Sequence, residues 1–235
     1  MAAQDMQLVK LLLVETTVQS TRTPRELPIV GGHLALDFAN TVDDPDGPER
    51  YDHAGTYPEL VAWSARIGVL QPDQAKGLLT AAEEHPRDRS AALKRAHVLR
   101  DILIEVFTEI AAINSGQPAT AGGSPARARW GELRPFVTDA MAHAELAWEG
   151  STYQLTWADT TRLDAMLWPV GLAAGDLITS PQLSRLKKCA GCPWLFLDQS
   201  KNRSRRWCAM NDCGTHEKIR RYVTRRAARR RSSLG

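Results

Sequence analysis

The first 188 residues of this 235-residue chain contain no cysteine, so nothing upstream competes for the four that lie in its last fifth. No stretch is apolar for long enough to cross a bilayer. The nearest candidate, residues 7–18 (QLVKLLLVETTV), is interrupted by Lys10 and Glu15. It lacks a basic region before it and a small-residue cleavage site after it, so it does not read as a secretory signal. A cytoplasmic protein with reduced thiols is expected, which disfavours disulfides. Catalytic signatures are missing as well. There is no phosphate-cradling glycine loop, no His-Glu-x-x-His and no Gly-x-Ser-x-Gly, and Gly31-Gly32 alone is too weak to matter. The expectation is a protein that is not an enzyme.

What is present is unevenly charged. At 43% hydrophobic and 24% charged, the composition is that of an ordinary globular protein. The length suits one large domain, or a medium domain with a small appendage. The net charge of +3 hides a split. Residues 185–235 hold 15 Lys/Arg against 3 Asp/Glu, whereas residues 1–184 hold 15 against 24. An acidic body with a basic, nucleic-acid-binding tail follows. Arginine outnumbers lysine 23 to 7, the bias of a GC-rich bacterial genome.

The cysteines form two pairs, Cys189-x2-Cys192 and Cys208-x4-Cys213, fifteen residues apart. Two short knuckles can bring four thiolates onto one tetrahedral, structural zinc ion. Four thiolates also leave no open position for catalysis. His216 is a weaker alternative ligand, better read as a polar contact at a helix start. Residues 194–197 (WLFL) are β-prone, residues 198–202 form a turn, and a charged helix runs from Glu217 to about Arg231. Knuckle, hairpin and helix is the order of a treble-clef zinc finger. On the helix, Ile219, Tyr222 and Val223 share a face expected to pack on the hairpin. Lys218, Arg221, Arg225 and Arg229 lie along another face. With Lys201, Arg203, Arg205 and Arg206 in the turn, they suit phosphate neutralisation along duplex DNA. An RNA-binding module and a protein-interaction adaptor are the alternatives.

Upstream, apolar periodicity predicts helices over residues 58–70, 72–84, 89–113 and 127–144, the last despite Pro135. Alternation over residues 145–157 predicts a β-hairpin, and residues 160–178 return to a helix with a kink expected at Pro169. Residues 43–48 and 114–125 read as turn and loop. The fold class is α+β, with helix dominant in the N-terminal region. Residues 1–26 form an extension, 27–180 the main domain and 181–235 the finger. Trp63, Trp148, Trp157 and Trp168 are expected in the core.

Four polar residues embedded in apolar sequence, His33, Asp37, Asn40 and Arg100, are the candidates for a small-molecule effector site. Two readings stand. Asp37 and Arg100 form an ion pair that closes a pocket or binds a ligand; or Asp37 and Asn40 cap local turns and Arg100 satisfies buried carbonyls. The oligomeric state is not set by any of these features.

Residues 196–210 (FLDQSKNRSRRWCAM), followed by Cys213-Gly214, resemble the CGNR zinc-finger family. Residues 32–41 (GHLALDFANT) resemble the opening of the ABATE domain that accompanies that finger. The Leu60-x2-Trp63 and Leu99-Arg100 helices match its general pattern. The resemblance spans residues 27–231. It implies a bacterial, stress-related transcription regulator with an α+β N-terminal domain and a treble-clef finger. The chain departs at the family's name-giving tetrad, where Thr215-His216 stands in place of Asn-Arg. The zinc ligands are unaffected, and the Thr215 hydroxyl remains able to cap a helix.

Overall fold

The structure, a computed structural model, describes residues 27–43, 50–118, 125–148, 150–157 and 161–232. The N-terminal extension, most of the 43–48 turn cluster and residues 119–124 of the loop lie outside the described residues. The chain runs through α1 (Leu34–Ala39), β1 (Val42–Asp43), β2 (Tyr51–Asp52), α2 (Tyr57–Arg66), α3 (Pro72–Glu84) and α4 (Pro86–Asn114). Then come α5 (Pro125–Ala142), β3 (Glu145–Trp148), β4 (Tyr153–Thr156) and α6 (Leu167–Thr179). A 3-10 turn (Pro181–Arg185), β5 (Leu186–Lys188), β6 (Leu195–Leu197), a π turn (Met210–Gly214) and α7 (Thr215–Ser232) complete it. The strands pair as three separate antiparallel ribbons, β1 with β2, β3 with β4 and β5 with β6. The α+β class with helix dominant is the observed one.

Local chemistry sets the helix starts. Thr56 and Glu59 form a reciprocal capping box at α2, with Pro58 in its first turn. Pro72 and Pro86 open α3 and α4, where a missing N–H costs nothing. Helix α4 is the mast of the body. It buries Ala96, Leu99, Leu103, Val106, Phe107, Ile110 and Ala111, the stripe its periodicity predicts. Helices α5 and α6 pack against each other. Gly171 permits the close approach, since a Cβ there would lie 2.9 Å from the Phe136 carbonyl oxygen.

Two expectations change. Residues 161–166 form turns rather than helix, and Pro169 occupies the third position of α6. No intrahelical N–H bond is required there, so the proline starts the helix instead of kinking it. The β3–β4 ribbon forms in the predicted place, but Trp148 is 59% exposed, with Leu146 and Tyr153 beside it equally open. Trp63 and Trp168 are buried, and Trp157 is half-buried with its Nε1 donating to the Ala140 carbonyl at 2.8 Å.

The buried cluster does not stop at residue 180. Leu186, Leu195, Phe196 and Leu197 belong to the same apolar core as Leu36, Phe38, Leu99 and Leu103. Strand β5 lies on α4 and β6 on α1. Three polar ties reinforce the seam. The Asn40 amide brackets Leu195, Leu197 N–H donates to the Gly31 carbonyl at 2.9 Å, and Asn114 Nδ2 donates to the Leu183 and Leu186 carbonyls. The ribbon that holds the first two cysteines is thus built into the body's core.

Candidate metal centre and basic face

The first knuckle forms where β5 turns into β6. Cys189 N–H donates to the Trp194 carbonyl at 2.8 Å, closing the ribbon over Cys189 and Cys192. Sequence periodicity placed the hairpin after the knuckle; the partner of residues 195–197 is instead the strand before it, residues 186–188. The chain after β6 curls away because Asp198, fully buried, gathers the turn around itself. Its carboxylate accepts from Ser200 N–H and hydroxyl, from Arg205 N–H and from Lys187 Nζ. Burial alone would raise the Asp198 carboxyl, but these donors outweigh it and hold it well below the usual carboxylate range.

The second pair comes from the π turn. Gly214 N–H reaches the Ala209 carbonyl at 3.1 Å, a five-residue span that carries Cys213 back toward Cys208. All four sulfurs lie within 4.8 Å of one another. Cys192 and Cys208 are 3.6 Å apart, Cys208 and Cys213 3.8 Å. Four sulfurs at about 2.3 Å from a tetrahedral zinc would stand about 3.8 Å apart, whereas a disulfide needs about 2.05 Å. The N–H groups of Gly191 and Cys208 point at Cys189 Sγ, at 3.4 and 3.3 Å, as donors to a thiolate. Hydrogen bonds from Cys192 and Cys208 pull the Cys189 thiol down, while the same contacts push Cys192 and Cys208 up. Four sulfurs this close cannot all ionise unless a cation shares them. The set fits one structural zinc ion. His216 stands outside it, its Nδ1 3.3 Å from Asp212 Oδ1, the helix-start contact its position suggests. Thr215 is already helical, and its hydroxyl donates to the Met210 carbonyl rather than capping α7.

The basic residues fall into two groups. In the turn, Lys201, Arg203, Arg205 and Arg206 are all exposed. Arg203 adopts a left-handed backbone, φ 48°, at the tip. Arg205 is less free than the sequence suggests. It donates to the Cys208 carbonyl at 2.7 Å and lies over the Phe196 ring, so it braces the metal loop. Lys187, unflagged by its sequence context, donates to the Arg203 and Arg205 carbonyls besides Asp198. On α7, Lys218 and Arg225 are exposed, and the Arg221 and Arg229 side chains lie outside the described residues. Ile219, Tyr222 and Val223 do not pack on the ribbon. They are 55%, 62% and 58% exposed, and the packing of α7 is on the π turn.

The four candidate effector residues have separate partners. Asp37 and Arg100 are not partners. Asp37 accepts from Gly31 N–H at 2.8 Å, closing the turn before α1. Arg100, 1% exposed, makes a bidentate pair with Asp52 at 2.6 and 2.5 Å and reaches the Thr41 hydroxyl at 3.1 Å. Asp52 is invisible as a partner in the sequence, since it sits in a two-residue strand 48 positions away. Asn40 is spent on Leu195. His33 caps α1 through Nδ1, with Asp176 4.0 Å from its other nitrogen. A cleft of about 550 Å³ opens elsewhere, beside Arg95, Thr161, Arg162 and Asp164, and none of the four lines it. Arg95 bridges Asp139 and Asp164 at its wall.

Among the described residues, no helix is long and apolar enough to cross a membrane. The family model of the CGNR zinc finger matches residues 185–226. The model of ABATE, described as "Putative stress-induced transcription regulator", matches residues 32–181. Compared with curated proteins, the chain finds no match. With the larger model covering more than half of the chain and the metal-ligand geometry in place behind it, the chain belongs to the ABATE family and carries that domain and a CGNR zinc finger in this order.

Proposed function

We propose that the chain is a cytoplasmic transcription regulator that binds duplex DNA through its zinc finger. One observation carries the reading: α7 holds eight Lys/Arg against Glu217 alone, with Lys218, Arg220, Arg225 and Arg226 open to solvent. Such a helix neutralises phosphates, and Lys201 and Arg203 in the Asp198-centred turn add to it. The acidic body opposes DNA and leaves the finger as the contact. Duplex is favoured over single-stranded RNA because, of the finger's aromatics, Trp194 and Phe196 are buried, Trp207 is half-buried and Tyr222 alone is exposed, which leaves one open stacking platform where single-strand readers stack two or three bases. A protein adaptor would not need this charge. The reading includes no catalytic step, since four thiolates close the metal's coordination.

We assign the input to the body. The cleft beside Arg95 and Arg162 has the size of a small-molecule site, and these two arginines with Asp88 and Asp164 suit a ligand carrying both signs of charge. The test of the DNA reading is a salt titration of full-length, zinc-loaded protein on duplex DNA. Each phosphate contact adds about 0.9 to the log–log slope. Lys218→Glu with Arg225→Glu should weaken binding on every sequence and lower the slope by about 2. Salt-independent binding, or binding only to RNA, removes the proposal.

A further inference from the structure

The exposed triad on α7 is the feature that the family match and the charge argument leave unexplained. Glu217 is the least exposed side chain among those described on this helix, and it marks the face turned toward the finger. At about 100° per residue, Tyr222, Ile219 and Val223 lie about 140°, 200° and 240° round the axis from it. Arg226 lies directly opposite, with its guanidinium 3.5 Å from the Tyr222 hydroxyl. The side of α7 that faces away from the protein therefore carries Tyr222, Ile219 and Val223 with the exposed Arg226 among them, and the exposed Lys218 and Arg225, about 100° and 80° from Glu217, line one margin.

That combination selects its occupant. A second copy of α7 would bring two strongly cationic helices together around three side chains. An anionic bilayer attracts the charge, but three residues without Trp, Phe or Leu offer little to bury. The major groove of duplex DNA presents anionic walls and, on its floor, the C5-methyl groups of thymine. Arginine and lysine meet the walls, while apolar side chains meet the methyls.

We propose that the Ile219–Tyr222–Val223 face of α7 is the sequence-reading surface of the finger, seated in the major groove against thymine methyl groups. This rests on the DNA-binding reading above. The basic residues supply affinity common to all sequences, and the triad supplies preference. It follows that selectivity and salt dependence belong to different side chains of one helix.

The experiment uses the full-length, zinc-loaded chain. Preferred duplexes are selected from a random-sequence pool, then remade with deoxyuridine for thymidine, which removes only the methyl. The wild type should lose affinity for the uracil duplex by about fourfold for each methyl it buries. The triple variant Ile219→Ala, Tyr222→Ala, Val223→Ala should bind random DNA within about twofold of wild type, with the same salt slope. It should no longer distinguish the selected duplex, nor thymine from uracil. The replaced side chains are exposed, and zinc content with circular dichroism confirms the fold. A wild type indifferent to uracil, or a triple variant that keeps its selectivity, overturns the inference while the DNA reading stands. Absence of salt-dependent binding to any duplex overturns both. Binding to vesicles of phosphatidylglycerol and phosphatidylcholine, lost in the triple variant, would assign the face to a lipid surface instead.

Discussion

The side-chain amide of Asn40 pairs with both main-chain groups of Leu195, accepting from its N–H and donating to its carbonyl, each at 2.8 Å. The two residues are 155 positions apart, one after α1 and one opening β6. Asn40 is 3% exposed, so water cannot replace it. Asn40→Ala should cost about 2–4 kcal/mol, as two buried main-chain groups lose their partners. Asn40→Asp keeps one bond but sets a carboxylate against the Leu195 carbonyl, and should be no better at neutral pH. Thermal melts of the three proteins test this; equal melting temperatures would mean that the pair carries no stability.

Zinc removal should be felt well beyond the finger. The sequence sets residues 181–235 apart as the finger, but β5 and β6 share the body's core. Zinc binding is worth on the order of 10 kcal/mol in small modules. Cys208→Ser, or a strong chelator, should therefore lower the melting of the whole chain in one transition. Calorimetry, with metal analysis giving one zinc per chain in the wild type, checks it. A body transition that does not move when zinc leaves would refute it.

Asp52, half-buried, and Asp37, buried, should respond differently to loss of charge. Asp52→Asn strands the Arg100 guanidinium and should cost about 3–5 kcal/mol. Asp37→Asn should be close to neutral at pH 7. Burial raises the Asp37 carboxyl, the N–H bonds from Gly31 and Val30 offset this only in part, and an amide oxygen can still accept from Gly31. The signs with pH follow. At Asp52 burial would raise the carboxyl, but the Arg100 hydrogen bonds and charge prevail and lower it. Its contribution is present above the unfolded value of about 3.9 and lost as pH falls through the folded one. Asp37 contributes in the reverse sense, most below about 3.9 and less as pH rises through its raised value. Melts of both variants between pH 3 and 7 separate the cases.

His33 should make the α1 junction acid-sensitive. Burial lowers its imidazole, and the Asp176 charge offsets this only in part. Its cap on α1 also needs a bare Nδ1 to accept from Ala35 N–H. The stabilisation is full above the unfolded value of about 6.5 and lost as pH falls through the lower folded one. The wild type should melt earlier at pH 5 than at pH 8. His33→Asn, which caps without titrating, should flatten that part of the profile. An unchanged slope in the variant would rule His33 out as its source.

How much of this could be read beforehand depends on whether the cause is local. The cysteine spacing, the α4 stripe and the alternation over β3 and β4 are local patterns, and each lands where the residues place it. Partners fixed by topology are different. Nothing near Arg100 announces Asp52, and nothing near Asn40 announces Leu195. Apolar spacing reports which side chains share a face, but not whether anything covers that face. Ile219, Tyr222 and Val223 have the spacing of a packed seam and stand in solvent, as Trp148 does on its ribbon. The π turn has no sequence signal, because its extra residue leaves no periodic trace in five residues.

That π turn also sets the aim of α7. An ordinary α turn would need one residue fewer between Cys208 and the helix. Since each residue of helix turns the side chains by about 100°, dropping Asn211 would swing Ile219, Tyr222 and Val223 about a quarter-turn around the finger while keeping all four sulfurs in the chain. The x4 spacing of the second cysteine pair thus works as a phasing element: its length decides which way the helix looks, independently of what is written on it.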